Sequence, residues 1–130
     1  MPHFGSRSTQ RLETLDPELQ AVLMDAIAIY DFTVICGLRD EAAQNEAYAT
    51  GASKKQYPNS IHNVAPSRAV DVAPWPIDWN DSLAFARLAG IIEACAHQRG
   101  VSLRFGLDWD RDGQSNDQSF MDLGHIEMTR

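Results

Sequence analysis

Apolar residues recur at helical spacing in two long segments of the chain, and each segment has capping residues at its ends. Asp16 is a favourable N-cap and Pro17 suits the first helical position, so a helix is predicted from residue 17 to about residue 31. Another helix is predicted to begin after Asn80 or Asp81 and to end at Gly100. Their apolar faces consist of Leu19, Val22, Leu23, Ala26, Ile27 and Tyr30 in the first helix and Leu83, Phe85, Leu88, Ala89, Ile92 and Ala96 in the second.

Residues 32–36 are rich in β-branched and aromatic residues and predict a buried strand. Three more short strands are predicted over residues 69–73, 101–105 and 124–128. A shorter helix is predicted from residue 41 to residue 48, with Asp40 as its cap and Gly51 after its end. Residues 1–15 are polar and irregular, and we expect a loosely held arm there. The order helix, strand, helix, strand, helix, strand, strand predicts one small α+β domain over residues 1–130, with a short antiparallel sheet and helices packed on one side.

The composition is that of a globular protein and narrows the classes of partner. The 130 residues are 44% hydrophobic and 22% charged, and no apolar run approaches the roughly 20 residues of a membrane-spanning helix. A net charge of −7 argues against nucleic acid as a partner. The N-terminus lacks the apolar core of a signal peptide, so we expect cytoplasmic synthesis. We also expect no stable membrane association and a monomer. Cys36 and Cys95 lie in apolar segments, without partners at metal-ligand spacing, and are expected to be buried free thiols.

Three residues have the chemistry of an open zinc site, although each also has a simpler interpretation. His62 lies in a polar loop, where a histidine is usually a surface residue, and His125 in a strand can be a hydrogen-bonded core residue. Asp71 interrupts an apolar strand, and a buried carboxylate there needs a metal or an ion pair with Arg68 or Arg39. Together, two imidazoles and one carboxylate match a catalytic zinc site that keeps its fourth position for water.

Residues near the proposed ligands can supply the remaining functions of a hydrolase. Asp122 precedes His125 by three residues, so a turn between them would let its carboxylate act as a general base toward the attacking water. Glu127 lies two residues after His125 and can orient the imidazole or act as the base instead. Arg39 can hold a substrate carboxylate or the developing oxyanion, and its alternative is an exposed ion pair with the acidic residues that follow it.

An acidic loop between the last two predicted strands resembles the opening of a calcium loop. Asp108, Asp110 and Asp112 alternate, and Gly113 occupies the sixth position. Ser119 stands where an EF-hand has its closing glutamate. A Ca²⁺ site and a solvated hairpin turn are therefore the two interpretations of this loop.

Tryptophans flank the presumed site in the sequence. Trp75 and Trp109 can line a groove for a glycan or a peptide, and anchoring of the core or of a loop is the alternative for each.

The ordered motifs resemble a known family. Ser60-Ile61-His62, then Ala69-Val70-Asp71, then Asp122-Leu123-Gly124-His125 is similar to the pattern of zinc peptidases that cleave peptidoglycan stem peptides. That group contains D-Ala-D-Ala carboxypeptidases, D-Ala-D-Ala dipeptidases and the L-alanyl-D-glutamate endopeptidases of phage endolysins. Gly37-Leu38-Arg39-Asp40, followed by Gln44, resembles the segment ahead of the family's first ligand. The resemblance extends from about residue 34 to residue 127.

The resemblance implies a hedgehog/D-Ala-D-Ala peptidase-like fold and a role for each matching residue. His62, Asp71 and His125 would bind one catalytic Zn²⁺, Asp122 would be the catalytic base, and Arg39 would bind substrate or oxyanion. Ser60 and Gln44 would support the site. The expected function is an L-alanyl-D-glutamate endopeptidase of a phage or prophage, acting on the wall after the membrane is breached. A D-Ala-D-Ala carboxypeptidase is the first alternative, and a non-catalytic zinc-binding module or virion component is the second.

Overall fold

The computed structural model describes residues 2–106 and 122–129. The helices are α1 (Ser6–Leu12), α2 (Pro17–Ile27), α3 (Glu41–Ala49) and α4 (Ser82–Arg99), and a short 3-10 turn covers Ile61–Asn63. The strands are β1 (Phe32–Cys36), β2 (Ala69–Pro74), β3 (Leu103–Phe105) and β4 (His125–Met128). Asp16, Asp40 and Asp81 cap α2, α3 and α4 with side-chain hydrogen bonds, and α2 ends four residues earlier than predicted, at Ile27.

The N-terminal segment is where the structure departs most from the prediction. Residues 6–12 form α1, which packs against the edge strand β1, so the expectation of a loosely held arm is wrong for this part of the chain. Ser8 Oγ accepts a hydrogen bond from the backbone N–H of Val34, and Arg11 Nη1 donates to the Val34 carbonyl at 2.9 Å. Leu12 and Leu15 are buried in the core. The helix thus satisfies backbone groups that an open sheet edge would leave unpaired.

The four strands form one antiparallel sheet in the order β1-β2-β4-β3. Alternate residues of β2 and β4 enter the hydrophobic core, namely Val70, Val72, Ile126 and Met128. Helices α2 and α4 pack against each other, and α4 contacts β2 and β3. The predicted α+β fold with a short antiparallel sheet is confirmed.

The intervening residues of these strands point to the opposite face, because side chains alternate along a strand. Asp71 of β2 and His125 and Glu127 of β4 lie on that face. The same sheet therefore places apolar residues in the core and ionisable residues on its other side. Within the described ranges, no helix is long and apolar enough to cross a membrane.

Candidate active site

Three residues from three strands form a row across the polar face of the sheet. Cys36 of β1 lies opposite Asp71 of β2, and Asp71 lies opposite His125 of β4. Directly opposed residues of antiparallel strands have their side chains on the same face and in contact distance. His125 Nδ1 is 3.0 Å from Asp71 Oδ1. Asp71 therefore occupies the centre of the row.

His62 reaches the same carboxylate from the loop that precedes β2. Ser60 caps the 3-10 turn by accepting a hydrogen bond from the His62 N–H, and the Asn63 side chain accepts one from the Ser60 N–H. The Gly37 carbonyl lies 2.8 Å from His62 Nδ1, so this ring nitrogen is the donor and Nε2 is left for the site. His62 Nε2 is 3.4 Å from Asp71 Oδ2. The two histidines thus approach different oxygens of one carboxylate.

His125 is held by a carboxylate on its other side. Its Nε2 lies 2.8 Å from Glu127 Oε1, and Arg104 Nη2 donates to Glu127 Oε2 at 2.7 Å. Burial alone would raise the pKa of Glu127, but hydrogen bonds from His125 and Arg104 outweigh it and lower that pKa to about 2. Glu127 is therefore ionised and fixes the imidazole so that Nδ1 faces Asp71. This arrangement is the carboxylate–histidine pair that orients metal ligands in many proteins.

A tight turn brings Asp122 beside His125. The Gly106 carbonyl accepts a hydrogen bond from the Asp122 N–H, and the His125 N–H donates to the Asp122 carbonyl. One carboxylate oxygen of Asp122 lies within 4.8 Å of ligand atoms of Asp71 and His125. Asp122 is accessible from the cavity but partly enclosed by its neighbours, and this loss of hydration, together with the charge of Asp71, raises its pKa. The turn that the sequence required between Asp122 and His125 is present.

Arg39 and Gln44 form the polar support behind the site. Arg39 Nη2 lies 3.6 Å from Asp71 Oδ2, and its Nη1 donates to Gln44 Oε1 at 2.9 Å. Gln44 is fully buried and donates to Ser53 Oγ and to the Lys55 carbonyl. Because buried polar groups need partners, this amide fixes the loop after α3 against Arg39. The ion pair of Arg39 is therefore directed into the site and not to the acidic residues that follow it.

The donor atoms of His62 and Asp71 lie close enough together to hold a metal ion. His62 has a side chain only 4% exposed, and within residues 2–106 and 122–129 its Nε2 has no hydrogen-bond partner. An unpaired buried nitrogen is costly unless another group, such as a metal, occupies its lone pair. Two tetrahedral zinc ligands with bonds near 2.1 Å are about 3.4 Å apart, the separation of His62 Nε2 and Asp71 Oδ2. Two groups of residues have donor atoms close enough together to hold a metal ion, and Asp71 belongs to both: Cys36, His62 and Asp71, and Asp71, Asp122 and His125.

Burial and neighbouring charges have opposing effects on the pKa values of Asp71 and His62. Burial would raise the pKa of Asp71, but the hydrogen bond from His125 and the nearby charge of His62 hold it well below its usual range. Burial would likewise lower the pKa of His62, but Asp71 and Cys36 outweigh it and raise that pKa to about 10. The metal-free protein therefore keeps a proton on His62 near neutral pH, and a metal ion has to displace it.

A cavity of about 320 Å³ opens onto these residues. Among the described residues, its lining consists of Arg39, Gly51, Ala52, Ser53, Lys54, Lys55, Ser60, Ile61, His62, Asp71, Arg104, Asp122, His125 and Glu127. Four of these residues are basic, although the whole chain has a net charge of −7. The cavity thus combines an acidic centre with a basic rim suited to an anionic ligand.

Comparisons with known proteins show the family of this chain. Residues 1–129 match the family model for phage L-alanyl-D-glutamate peptidases. The chain belongs to this family. A relative in Escherichia phage T5, named L-alanyl-D-glutamate peptidase, is 35% identical over 133 residues, which cover 96% of this chain and 96% of the relative.

A solved structure has the same fold as this phage peptidase family member. The crystal structure of the Serratia marcescens L-Ala D-Glu endopeptidase ChiX superposes with a TM-score of 0.77 and 25% sequence identity. The match covers 98% of this chain and 91% of that one.

One predicted site residue, Trp75, is not among those that the described part of the structure brings together. Trp75 follows β2 at the end remote from Asp71, bonds through its N–H to the Asp31 carbonyl, and is absent from the described lining of the cavity. Its side chain is 59% exposed. Trp109 and the candidate calcium ligands Asp108, Asp110 and Asp112 lie outside the described residues.

One site residue was missed. Cys36 is a free thiol, as expected, but it is half-buried beside His62 and Asp71. Burial would raise its pKa, but His62 and Arg39 lower it overall. The expectation of a thiol without metal-ligand partners is therefore wrong for Cys36, because the sheet and not the local sequence supplies its neighbours. Cys95 is buried as predicted.

Proposed function

We propose that this chain is a zinc peptidase that hydrolyses the L-alanyl–D-glutamate bond of peptidoglycan stem peptides. The observation that carries this proposal is the unpaired, buried Nε2 of His62 beside Asp71, with His125 on the other oxygen of the same carboxylate. Membership of the peptidase family and the basic rim of the cavity support the same conclusion.

His62, Asp71 and His125 are the proposed zinc ligands, and Glu127 is the proposed orienting group for His125. A zinc ion bound with an open position would supply Lewis-acid chemistry, activating water and polarising the scissile carbonyl. Glu127 keeps the His125 proton on Nε2 through the 2.8 Å contact, which leaves the Nδ1 lone pair for the metal.

Asp122 is the proposed general base. It faces the cavity within 4.8 Å of Asp71 and His125, so its carboxylate can accept the proton of a water molecule that attacks the scissile carbonyl. The raised pKa of Asp122 makes it a better proton acceptor than an ordinary aspartate. The protonated carboxyl can then return the proton to the amine of the departing D-glutamate.

Arg39 is the proposed partner of the developing oxyanion, and Gln44 holds its guanidinium in place through Nη1. Ser60 supports His62 by capping the turn that carries it. A D-glutamate residue keeps one free carboxylate next to the bond that is cut, and Lys54, Lys55 or Arg104 on the rim can pair with it. The bacterial cell wall would then be the place of action. A monomer suffices, since one chain supplies every proposed residue.

The test is a digest of purified peptidoglycan followed by mass spectrometry of the new termini. We expect new D-glutamate amino termini from the wild type, loss of that activity after zinc removal, and its return when zinc is restored. Asp122→Asn should remain folded and zinc-loaded but lose at least about 100-fold in rate, the usual contribution of general acid–base catalysis. Asp78→Asn, an exposed residue at a turn, is the matched control and should retain activity.

Other outcomes of the digest would contradict the proposal. Release of free D-alanine without new glutamate termini would indicate a carboxypeptidase. Zinc binding without any product would indicate a non-catalytic module. Full activity of Asp122→Asn would exclude this residue as the base.

A further inference from the structure

A β-bulge in β1 turns Cys36 toward the active site. Val34 pairs with Val72, so an uninterrupted antiparallel register would place Ile35 opposite Asp71. The register shifts between Val34 and Cys36, and Cys36 is opposite Asp71 instead. Bulges of this kind redirect side chains by one position. The thiol therefore lies on the polar face of the sheet and not in the core.

The redirected thiol completes a cluster of three different donors. Cys36 Sγ, a ring nitrogen of His62 and a carboxylate oxygen of Asp71 all lie within 4.8 Å of one another. The His62 nitrogen that faces them is Nε2, because Nδ1 is bonded to the Gly37 carbonyl. That Nε2 is buried and has no hydrogen-bond partner in the part of the chain that the structure describes. Sulfur, nitrogen and oxygen donors this close together can bind a metal ion, and the unpaired nitrogen of His62 is one of the three donors.

Arg39 keeps the two anionic donors side by side. Its Nη2 lies 3.7 Å from Cys36 Sγ and 3.6 Å from Asp71 Oδ2. A guanidinium at these distances reduces the repulsion between a thiolate and a carboxylate, and both are the forms that bind metals.

The cluster does not coincide with the site proposed for catalysis. Cys36 and His125 flank Asp71 on opposite sides, in β1 and β4. Asp71 also belongs to a second cluster, with Asp122 and His125, which excludes Cys36. An ion bound through the thiol would thus use His62 and Asp71 but leave His125 and Asp122 unused.

We propose that Cys36, His62 and Asp71 form an alternative binding position for thiophilic divalent ions such as Cd²⁺. This position shares His62 and Asp71 with the zinc site of the proposed function. The inference rests on the proposed function only because zinc would compete for these two ligands. Because the two ions compete for His62 and Asp71, a soft ion at Cys36 excludes zinc and inhibits the peptidase. Soft thiolate ligands select such ions over harder ones.

The test is titration of the metal-free protein with Cd²⁺ while the ultraviolet absorption of thiolate-to-metal charge transfer is recorded. We expect the band to saturate at one equivalent in the wild type and to vanish in Cys36→Ser and Cys36→Ala. The preference for Cd²⁺ over Zn²⁺, from competition titrations, should fall at least about tenfold in both variants. Cys95→Ser is the matched control, since Cys95 is the buried thiol of α4, and it should keep the band.

His125→Ala separates this inference from the proposed function. It should lose wall hydrolysis but keep the Cd²⁺ charge-transfer band, because the alternative position does not use His125. Absence of the band in Cd²⁺-loaded wild type, its persistence in folded Cys36→Ser, or its loss in folded His125→Ala would each overturn the inference. A Cd²⁺ band in a protein that never hydrolyses peptidoglycan would refute the proposed function and leave the inference standing.

Discussion

Glu127→Gln tests whether the second carboxylate of β4 orients His125 or acts as the base. Glu127 accepts from His125 Nε2 at 2.8 Å and from Arg104 Nη2 at 2.7 Å, so each oxygen has its own donor. Glutamine preserves the shape but has only one acceptor atom. If the glutamine oxygen faces His125, the glutamine NH₂ group faces the Arg104 guanidinium, and two hydrogen-bond donors oppose each other. If the amide is reversed, the contact with His125 is lost.

The magnitude follows from the loss of one charge-assisted hydrogen bond at a site with little solvent. The Glu127 side chain is 12% exposed, so screening by water is weak. A hydrogen bond to a charged group contributes about 1.5–3 kcal/mol. Replacement of a group that orients a metal ligand typically weakens metal affinity about 10–100-fold, or about 1.4–2.7 kcal/mol. The two values agree, and we expect zinc affinity to fall within that range.

The assay is a competition titration of zinc against a chelator, followed by peptidoglycan hydrolysis at saturating zinc. If Glu127 only orients His125, saturating zinc restores Glu127→Gln to within a few-fold of wild-type activity. Glu93→Gln, which removes a carboxylate from the exposed face of α4, is the control and should leave zinc affinity unchanged. Unaltered zinc affinity in Glu127→Gln would refute the orienting role. A persistent loss of at least about 100-fold at saturating zinc would identify Glu127 as the base.

Two further predictions concern packing and pH. Ala at Gly106 would place its Cβ against the Asp122 main chain, so Gly106→Ala should destabilise the fold by about 1–3 kcal/mol in denaturant titrations and reduce hydrolysis. Gly90 lies in the interior of α4 with open space around it, so Gly90→Ala should stabilise the fold by about 0.5–1 kcal/mol in the same titrations. The His62 pKa is raised from 6.5 to about 10, so its proton stabilises the metal-free fold fully below pH 6.5, and this stabilisation is lost as pH rises toward 10. Zinc must displace that proton, so the apparent zinc affinity should rise by up to about tenfold per pH unit in this window. A zinc affinity that does not change with pH would contradict the protonated state of His62.

Local sequence patterns were sufficient to predict the helices and strands that have clear capping residues or hydrophobic spacing. The helix α2 has a proline start and a cap at Asp16, and β1 occupies the predicted residues 32–36. The helix α1 was missed because seven residues give too short an apolar pattern, and only its packing against β1 reveals why Ser8 and Leu12 are buried. Short helices depend on tertiary contacts more than on their own propensity.

The candidate site divides in the same way. Ordered motifs in the sequence identified His62, Asp71, Asp122 and His125 as candidates. Imidazole and carboxylate side chains are the groups that bind zinc, so their presence in strands and turns can be read from the sequence. Only the tertiary structure decided which groups meet. Asp71 and His125 are 54 residues apart and become neighbours through the pairing of β2 with β4. Cys36 enters the site only because a bulge shifts its register by one residue, and that shift arises from strand pairing, which no local sequence signal encodes.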